Sequence, residues 1–341
     1  MKKRLFKAPS GAELLFSTLG FGSGSLGNLY HAVTETEAQN TLQATWNSGV
    51  RYFDTAPLYG LGLAETRLNA FLRTKKRKDY VISTKIGRLL ENCKPEQRTG
   101  IGKFFETPTR REKFDYSYDG VMRSLEFSLE RLGLDSVDIL FAHDLDVFSH
   151  GSKETRDHYI AELMKGGYKA LVKMREQGVI KAFGAGINEW QAGQILAGQG
   201  DFDLFLLAGR YTLLEQDALN SFLPLCETRG IGIVLGGVYN SGILATGAKP
   251  GATFNYSKAP KDVLNRVKQI ESVCRKHKLN LPQAALQFPL AHPSVTCVVI
   301  GMASAKEAKY NAAAINERLP KSLWRDLKAQ GLLHESAPVP K

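Results

Sequence analysis

Short apolar runs alternate along this chain with longer stretches in which apolar residues recur every three or four positions. Arg4-Leu-Phe and Leu14-Leu-Phe16 flank Pro9-Ser-Gly11, which predicts a hairpin over residues 1–16. Ser17-Thr-Leu-Gly-Phe-Gly22 reads as a strand running into glycines. Thr34-x-x-Glu37 is a capping box that opens a helix through Trp46, stopped near Gly49. The apolar run from Val50 to Phe53 then ends in Asp54, and a helix follows over about 64–73. The same alternation predicts strands at Tyr80–Lys85, Val137–His143, Ile180–Ile187, Asp203–Ala208, Gly232–Val238 and Thr296–Gly301. Helices fall between them at about 117–132, 155–177, 189–198, 218–229, 260–277 and 282–291, and two more follow Ser304 and Pro320.

Counted from Thr18, eight strands each lead into a helix, and no Pro- or Ser-rich linker divides them. The pattern predicts an α/β fold: a single (β/α)8 TIM barrel domain over 1–341, its bottom closed by the N-terminal β-hairpin. An open doubly wound sheet is the competing arrangement. Two segments break the rhythm. Residues 88–116, rich in Lys, Arg, Glu, Thr and Pro, show no clear periodicity, and residues 239–259 are rich in Gly, Asn and Ser. In a barrel both are long loops over the C-terminal face, either enclosing a ligand or lying as loose insertions.

Composition narrows the class. With 43% hydrophobic and 23% charged residues, the 341-residue chain can build a substantial core. The net charge of +11 is spread over the length, and its densest cluster, Arg73-Thr-Lys-Lys-Arg-Lys78, falls between a helix and a strand. That distribution argues for a general pull on anions such as a dinucleotide rather than nucleic-acid binding. Cys93, Cys226, Cys274 and Cys297 lie far apart with no CxxC, against a disulfide framework or zinc site. The basic start lacks the apolar run of a signal peptide, and nothing approaches a membrane span. A cytoplasmic protein is expected.

Gly22-Ser-Gly-Ser-Leu-Gly27 matches the GxGxxG dinucleotide fingerprint, with Asp54 in place of the ribose-binding acid. The fingerprint works because its glycines lead directly into a helix whose N-terminus holds a pyrophosphate. Here the capping box comes only at Thr34, so the match is set aside. The strand ends are more informative. Strand two delivers Asp54 with Tyr59 on its loop, strand three ends in Lys85, and strand four in His143. Singly, Asp54 could cap a turn, Tyr59 could plug a loop, and His143 could be a satisfied core residue. Together in one barrel mouth they suggest a phenol made acidic by a neighbouring ammonium, which a carboxylate holds in place.

Phe53-Asp-Thr-Ala-x-x-Tyr59-Gly, Glu65, Lys85 and His143 resemble the catalytic tetrad region of the aldo-keto reductase superfamily, and the likeness runs from Leu19 to the helix carrying Asn311. Phe53-Asp-Thr-Ala-Pro-Leu-Tyr-Gly-Leu-Gly-Leu-Ala-Glu65 and Leu207-Ala-Gly-Arg-Tyr-Thr-Leu-Leu-Glu-Gln216 resemble the branch of L-fucose (D-threo-aldose 1-) and pyridoxal 4-dehydrogenases. The resemblance implies Tyr59 as general acid in reduction and general base in oxidation. Lys85, held by Asp54, would lower the Tyr59 pKa, and His143 would orient the substrate oxygen. It also implies an extended nicotinamide cofactor across the mouth and no metal. Gly22, Ser23 and Asn188 would meet its nicotinamide end, Ser241, Gly242 and Leu244 its pyrophosphate, and Gly301, Ser304 and Asn311 its adenosine.

Several positions depart from the pattern. Gly186-Ile-Asn188 replaces a Ser-Asn pair, Ala208 a glutamine, and Gly236 a stacking tyrosine. Met302-Ala-Ser304 stands where an Arg or Lys often pairs with the 2′-phosphate of NADP. Losing that charge-assisted contact removes roughly 1.5–3 kcal/mol of preference. NAD is therefore expected, with NADP possible through Lys306. The expected reaction is oxidation of a cyclic hemiacetal, pyridoxal to 4-pyridoxolactone or an aldose such as L-fucose to its lactone. The alternatives are a broad NADPH-dependent aldehyde or ketone reductase and a non-catalytic nucleotide sensor. Phe148 and Trp190 are candidate pocket aromatics.

Overall fold

A computed structural model describes residues 1–341. Eight parallel strands, in chain order Leu19–Gly22, Tyr52–Asp54, Val81–Ile86, Ile139–His143, Ala182–Ile187, Leu204–Ala208, Gly232–Gly236 and Val295–Gly301, pair each with the next. The eighth closes on the first, with Val298 opposite Leu19 and Gly301 opposite Gly22. We number them one to eight. The open-sheet alternative is thereby excluded.

The period-2 pattern sorts side chains into two cores. Tyr52, Val81, Ile139, Phe141, Ala182, Leu204, Leu206, Val234, Cys297 and Val299 point inward and fill the barrel with Leu14 and Phe16 of the hairpin. Their outward neighbours, among them Phe53, Ile82, Leu140, Phe183, Phe205 and Ile233, join the helices in a 76-residue cluster. The hairpin pairs Lys3–Lys7 antiparallel with Glu13–Ser17. Phe16 stands edge-on to Tyr52 at 4.9 Å, so the hairpin stoppers the barrel at the strands' N-terminal ends.

Carboxylates fix the strands on that floor. Asp138, just before strand four, accepts from the Ile82 N–H (2.9 Å) and from Arg77 (2.7 Å). Asp203, just before strand six, does the same with the Phe183 N–H (3.0 Å) and Arg175 (2.8 Å). Each satisfies a backbone donor that the staggered barrel leaves unpaired.

The helices lie close to the predicted spans. Thr34 and Glu37 form the reciprocal cap of helix Glu35–Asn47. The stretch 155–177 is two helices, Lys153–Glu162 and Tyr168–Glu176, joined through a π-turn at Leu163–Gly167. Ser23–Gly27 makes one short 3-10 turn ending at a left-handed Asn28, so the GxGxxG match opens no helix.

The two breaks in rhythm carry more structure than their composition suggests. Within 88–116, Arg88–Asn92 pairs antiparallel with Arg110–Phe114, Arg88 opposite Phe114, where no regular element was expected. Within 239–259 there is a helical turn, Ile243–Thr246, and a small hairpin, Thr253–Phe254 with Ser257–Lys258. Lys103 of the first segment lies 5.0 Å from the Tyr256 ring of the second, so they meet. No helix is long and apolar enough to cross a membrane.

Candidate active site

Barrel stagger sets the height of each polar strand end. Asp54 is level with Ser83, Lys85 with Phe141, and His143 with Gly186. Because Ser83 and Lys85, and likewise Phe141 and His143, are two residues apart, Asp54, Lys85 and His143 all face inward. A Cβ on Gly186 would stand 3.3 Å from Lys85 Cε, so the glycine of strand five leaves the lysine stem its room.

Lys85 Nζ donates to Asp54 Oδ2 (2.7 Å) and to the Thr55 carbonyl (2.8 Å). Ser83 donates to Asp54 Oδ1 (2.7 Å) and shares a 2.9 Å hydrogen bond with the Tyr52 hydroxyl. Both charged side chains are almost wholly buried, at 1% and 3% exposure. Such a pair needs further hydrogen bonds around it, supplied here by Ser83 to the carboxylate and by the Thr55 carbonyl to the ammonium. The Tyr59 ring centroid lies 4.9 Å from Lys85 Nζ and 6.0 Å from the His143 ring, which stands perpendicular to it. All four predicted residues therefore converge.

The electrostatics correct one expectation. Tyr59 sits well above the ordinary phenol pKa, because it is buried and faces Asp54 and then Asp144, with Arg88 opposing. The Lys85 ammonium, shared with Asp54 and the Thr55 carbonyl, does not outweigh that burial, so the phenol is not acidic in the protein by itself. His143 is held neutral, its pKa lowered to about 3 by burial first and then by Lys85, Arg88 and Lys103 against Asp144.

Three residues here escaped sequence reasoning: Arg88, Glu112 and Asp144. Asp144 follows His143 directly, in a left-handed backbone (φ 59°). Its Oδ2 accepts from Arg88 Nη2 (2.6 Å) and lies 3.5 Å from His143 Nε2, while Oδ1 accepts from Asn188 Nδ2 (2.9 Å). Arg88 also pairs with Glu112 and lies 4.6 Å from the Phe114 ring centroid. Burial alone would raise the Asp144 pKa, but His143, Arg88 and Asn188 bring it down to about 2. A reading that stopped at the last apolar-strand residue had no reason to include the next acid or the arginine after Gly87.

The residues expected at the cofactor divide. Gly22 lies between Asp54 and Gly301 in register, and Ser23 is buried with its hydroxyl unpartnered. Asn188 is at the mouth, but its amide is already donated to Asp144 and Asp146. Ser241 Oγ accepts from the Tyr256 N–H (3.0 Å), and Gly242 takes a positive φ of 98°. Leu244 is packed in the core and its N–H is bonded to the Tyr239 carbonyl, so it presents no donor. Ser304 caps helix Ala305–Ala314, Gly301 is exposed, and Asn311 Oδ1 accepts from Tyr239 (2.6 Å). Tyr239 thus reaches the helix after strand eight.

A small pocket between these groups is lined by Asn188, Gly209, Arg210, Gly237, Ser241 and Tyr256. Gly209 and Gly237 are left-handed (φ 68° and 61°), which brings the backbones after strands six and seven together. The Arg210 guanidinium beside the Gly209 and Gly237 backbone in this pocket, and just after strand one the buried Ser23 hydroxyl without a partner, form a donor set that fits a dinucleotide's anionic and amide groups. Phe148 lines this pocket, whereas Trp190 packs against the core.

A closed parallel barrel with a buried ammonium–carboxylate pair, a phenol and a neutral imidazole at its C-terminal mouth has the build of a barrel enzyme. The chain belongs to the aldo/keto reductase family, whose profile matches residues 18–330. It is 39% identical over 328 residues to a pyridoxal 4-dehydrogenase of Microbacterium luteolum, covering 94% of this chain and 95% of the relative. It is also 39% identical over 330 residues to a D-threo-aldose 1-dehydrogenase of a Pseudomonas species, covering 96% and 97%. Among solved structures, an aldo-keto reductase of Bacillus halodurans in its holo form shares the fold, with a TM-score of 0.74 at 23% identity, covering 100% of this chain and 98% of that one. The chain is an NAD(P)-dependent oxidoreductase acting on CH–OH or carbonyl groups of a small molecule.

Proposed function

We propose that this protein oxidises the hemiacetal carbon of a cyclic hemiacetal to a lactone, using NAD. The substrate would be an aldose such as L-fucose at C1, or pyridoxal, which gives 4-pyridoxolactone. The names of the two 39% relatives support this choice, since both substrates present a hemiacetal hydroxyl. The observation that carries the chemistry is the Lys85 ammonium pinned by Asp54 beneath the Tyr59 ring.

In this reading a nicotinamide dinucleotide, when bound, would supply the acceptor for the hydride leaving the hemiacetal carbon. Tyr59 takes the hydroxyl proton as the carbon–oxygen double bond forms. Lys85 stabilises the phenolate through its charge, and Asp54 fixes the ammonium where that charge is felt. His143, being neutral, donates a hydrogen bond to the same oxygen from Nε2, the nitrogen on the Asp144 side. Gly22, Ser23 and Asn188 would meet the nicotinamide end, Ser241, Gly242 and Arg210 the pyrophosphate, and Gly301, Ser304 and Asn311 the adenosine.

Glu307 supports NAD over NADP. Its carboxylate accepts from the Ala303 N–H (2.9 Å), and Glu307 lies in the first turn of helix Ala305–Ala314. A 2′-phosphate arriving beside Ser304 would meet a carboxylate already holding that donor. A ribose 2′-hydroxyl could instead donate to it.

The raised Tyr59 pKa keeps the phenol protonated near neutrality, which is the form that donates a proton in aldehyde reduction. Oxidation needs the phenolate, so its rate is expected to climb with pH across the alkaline range while reduction stays level or falls. The test incubates the protein with NAD or NADP and L-fucose, further aldoses or pyridoxal at alkaline pH. Rising NADH absorbance with at least one substrate is expected. No rise with any of them rejects the hemiacetal reading, and a strong NADP preference rejects the role given to Glu307.

A further inference from the structure

Asp144 and Arg88 are more than the reaction above requires. The carboxylate stands beside His143 and close enough to Tyr59, Tyr256 and Lys103 for its charge to act on each. It therefore lies inside the mouth, reached from the strand-three hairpin by Arg88 and from the strand-five loop by Asn188. A pair serving only to tie down the hairpin would be expected to fill its hydrogen-bonding capacity, because buried charge is costly. This one does not. A carboxylate has about four acceptor positions, and Asp144 accepts hydrogen bonds from Arg88 and Asn188 alone, with His143 Nε2 at 3.5 Å. Arg88 Nε is buried without a partner, as is His143 Nδ1. The backbone at Asp144 is left-handed, a conformation a non-glycine residue holds at a cost and one that clusters at functional sites.

Free acceptors on a carboxylate and a free donor on its guanidinium, side by side, match a hydroxyl group, which both donates and accepts. Next to the imidazole that addresses the reacting oxygen, the hydroxyl within reach belongs to the carbon adjacent to the reacting one. We propose that Asp144 and Arg88 recognise this neighbouring hydroxyl, so that the enzyme selects 2-hydroxy aldehydes and their cyclic hemiacetals, the aldoses, over carbonyl compounds lacking it. This deepens the hemiacetal reading and rests on it for the sugar, though the hydroxyl preference applies equally to reduction.

The test compares partners differing by one hydroxyl: L-fucose with 2-deoxy-L-fucose in oxidation, and glycolaldehyde with acetaldehyde in reduction. Binding of the two sugars to protein loaded with NADH is measured alongside. Wild-type protein should favour the hydroxylated partner by about 10- to 100-fold, the range of a charge-assisted hydrogen bond. Asp144→Asn should bring that ratio near unity, mainly through KM of the hydroxylated partner, and should lower the melting temperature because the buried Arg88 loses a carboxylate. Arg88→Lys, which keeps the charge but loses the fork, should lower it part of the way and stands in if Asp144→Asn does not fold. Equal binding and turnover of both partners by wild-type protein would overturn the proposal, as would a ratio untouched by either variant. So would turnover of pyridoxal with none of the hydroxylated partners bound. Absence of NADH formation from every sugar, with the binding or reduction ratio intact, rejects lactone formation but leaves the hydroxyl site standing.

Discussion

Both ends of this barrel bury aspartates paired with cations, Asp138 and Asp203 at the floor and Asp54 and Asp144 at the mouth, and they are used in opposite ways. On the floor, Asp138 and Asp203 each accept from a backbone N–H of the preceding strand and from a cation whose side chain reaches solvent: Arg77 is 34% exposed, Lys181 58% and Arg175 20%. At the mouth, Asp54 and Asp144 hold cations nearly as buried as themselves, and their partners are mostly side chains. Floor carboxylates fix register, and their cations keep water. Mouth carboxylates fix charges that water cannot screen, which makes those charges available to a reacting molecule. Damage at the floor should appear as lost stability alone, and damage at the mouth as lost turnover, joined by lost stability wherever a buried charge is left without its partner.

The sharpest test of that division is at Lys85 and Tyr59. Tyr59→Phe removes the acid–base group and little packing, so kcat/KM should fall by about 10³-fold with an unchanged melting temperature. Lys85→Met removes comparable turnover and also strands the buried Asp54 carboxylate, costing about 3–5 kcal/mol in urea unfolding. Adding Asp54→Asn to Lys85→Met should restore much of that stability and none of the activity. A Lys85→Met protein as stable as wild type would mean that Asp54 is not paired as described.

Next in size is the acid limb. The folded pKa of His143 is about 3, below its ordinary 6.5, so between those values the unfolded chain binds a proton that the folded one refuses. Stability is then complete above pH 6.5 and is lost as pH falls toward 3, by up to roughly 4 kcal/mol. Asp144, lowered to about 2 from 3.8, extends the loss below pH 3.8. His143→Gln should flatten the slope between pH 6.5 and 4, read from urea midpoints. An unchanged slope would place the titrating group elsewhere.

The same contrast explains what could be read in the sequence. Asp54, Lys85 and His143 were legible because each is a polar residue closing an apolar run, and the barrel brings strand ends together whatever fills its loops. The hairpin within 88–116 was not. Arg88-Leu-Leu-Glu-Asn92 and Arg110-Arg-Glu-Lys-Phe114 carry no alternation, since their pairing is held by cross-strand charges such as Arg111–Glu91 (3.0 Å) and by Arg88 reaching Asp144. The sign of the Tyr59 shift was hidden for a related reason. Spacing shows that a lysine is near, but not that the ring is buried or that Asp144 lies close enough to oppose it. Leu244 was misplaced because residues alternating between loop and core look alike until the helical turn at 243–246 is formed.

On the floor, Asp203→Asn keeps one acceptor for the Phe183 N–H but loses the charge that Arg175 meets, and it should cost about 1–3 kcal/mol with kcat unaltered.

The smallest effect belongs to Lys181. Its ammonium lies 2.8 Å from Asp138 Oδ1, as short as the Arg175–Asp203 contact, yet its side chain is 58% exposed. Asp138 Oδ2 retains the Ile82 N–H and Arg77 when Lys181 is removed, so no buried charge is left bare. An exposed ammonium also regains hydration on leaving the pair and is freed from a single rotamer. Lys181→Ala should therefore change stability by less than about 0.5 kcal/mol, with the difference fading as salt is raised. A loss above about 2 kcal/mol, or one insensitive to salt, would show that solvent does not screen the floor, and the distinction between the two ends would then have to rest on the backbone contacts alone.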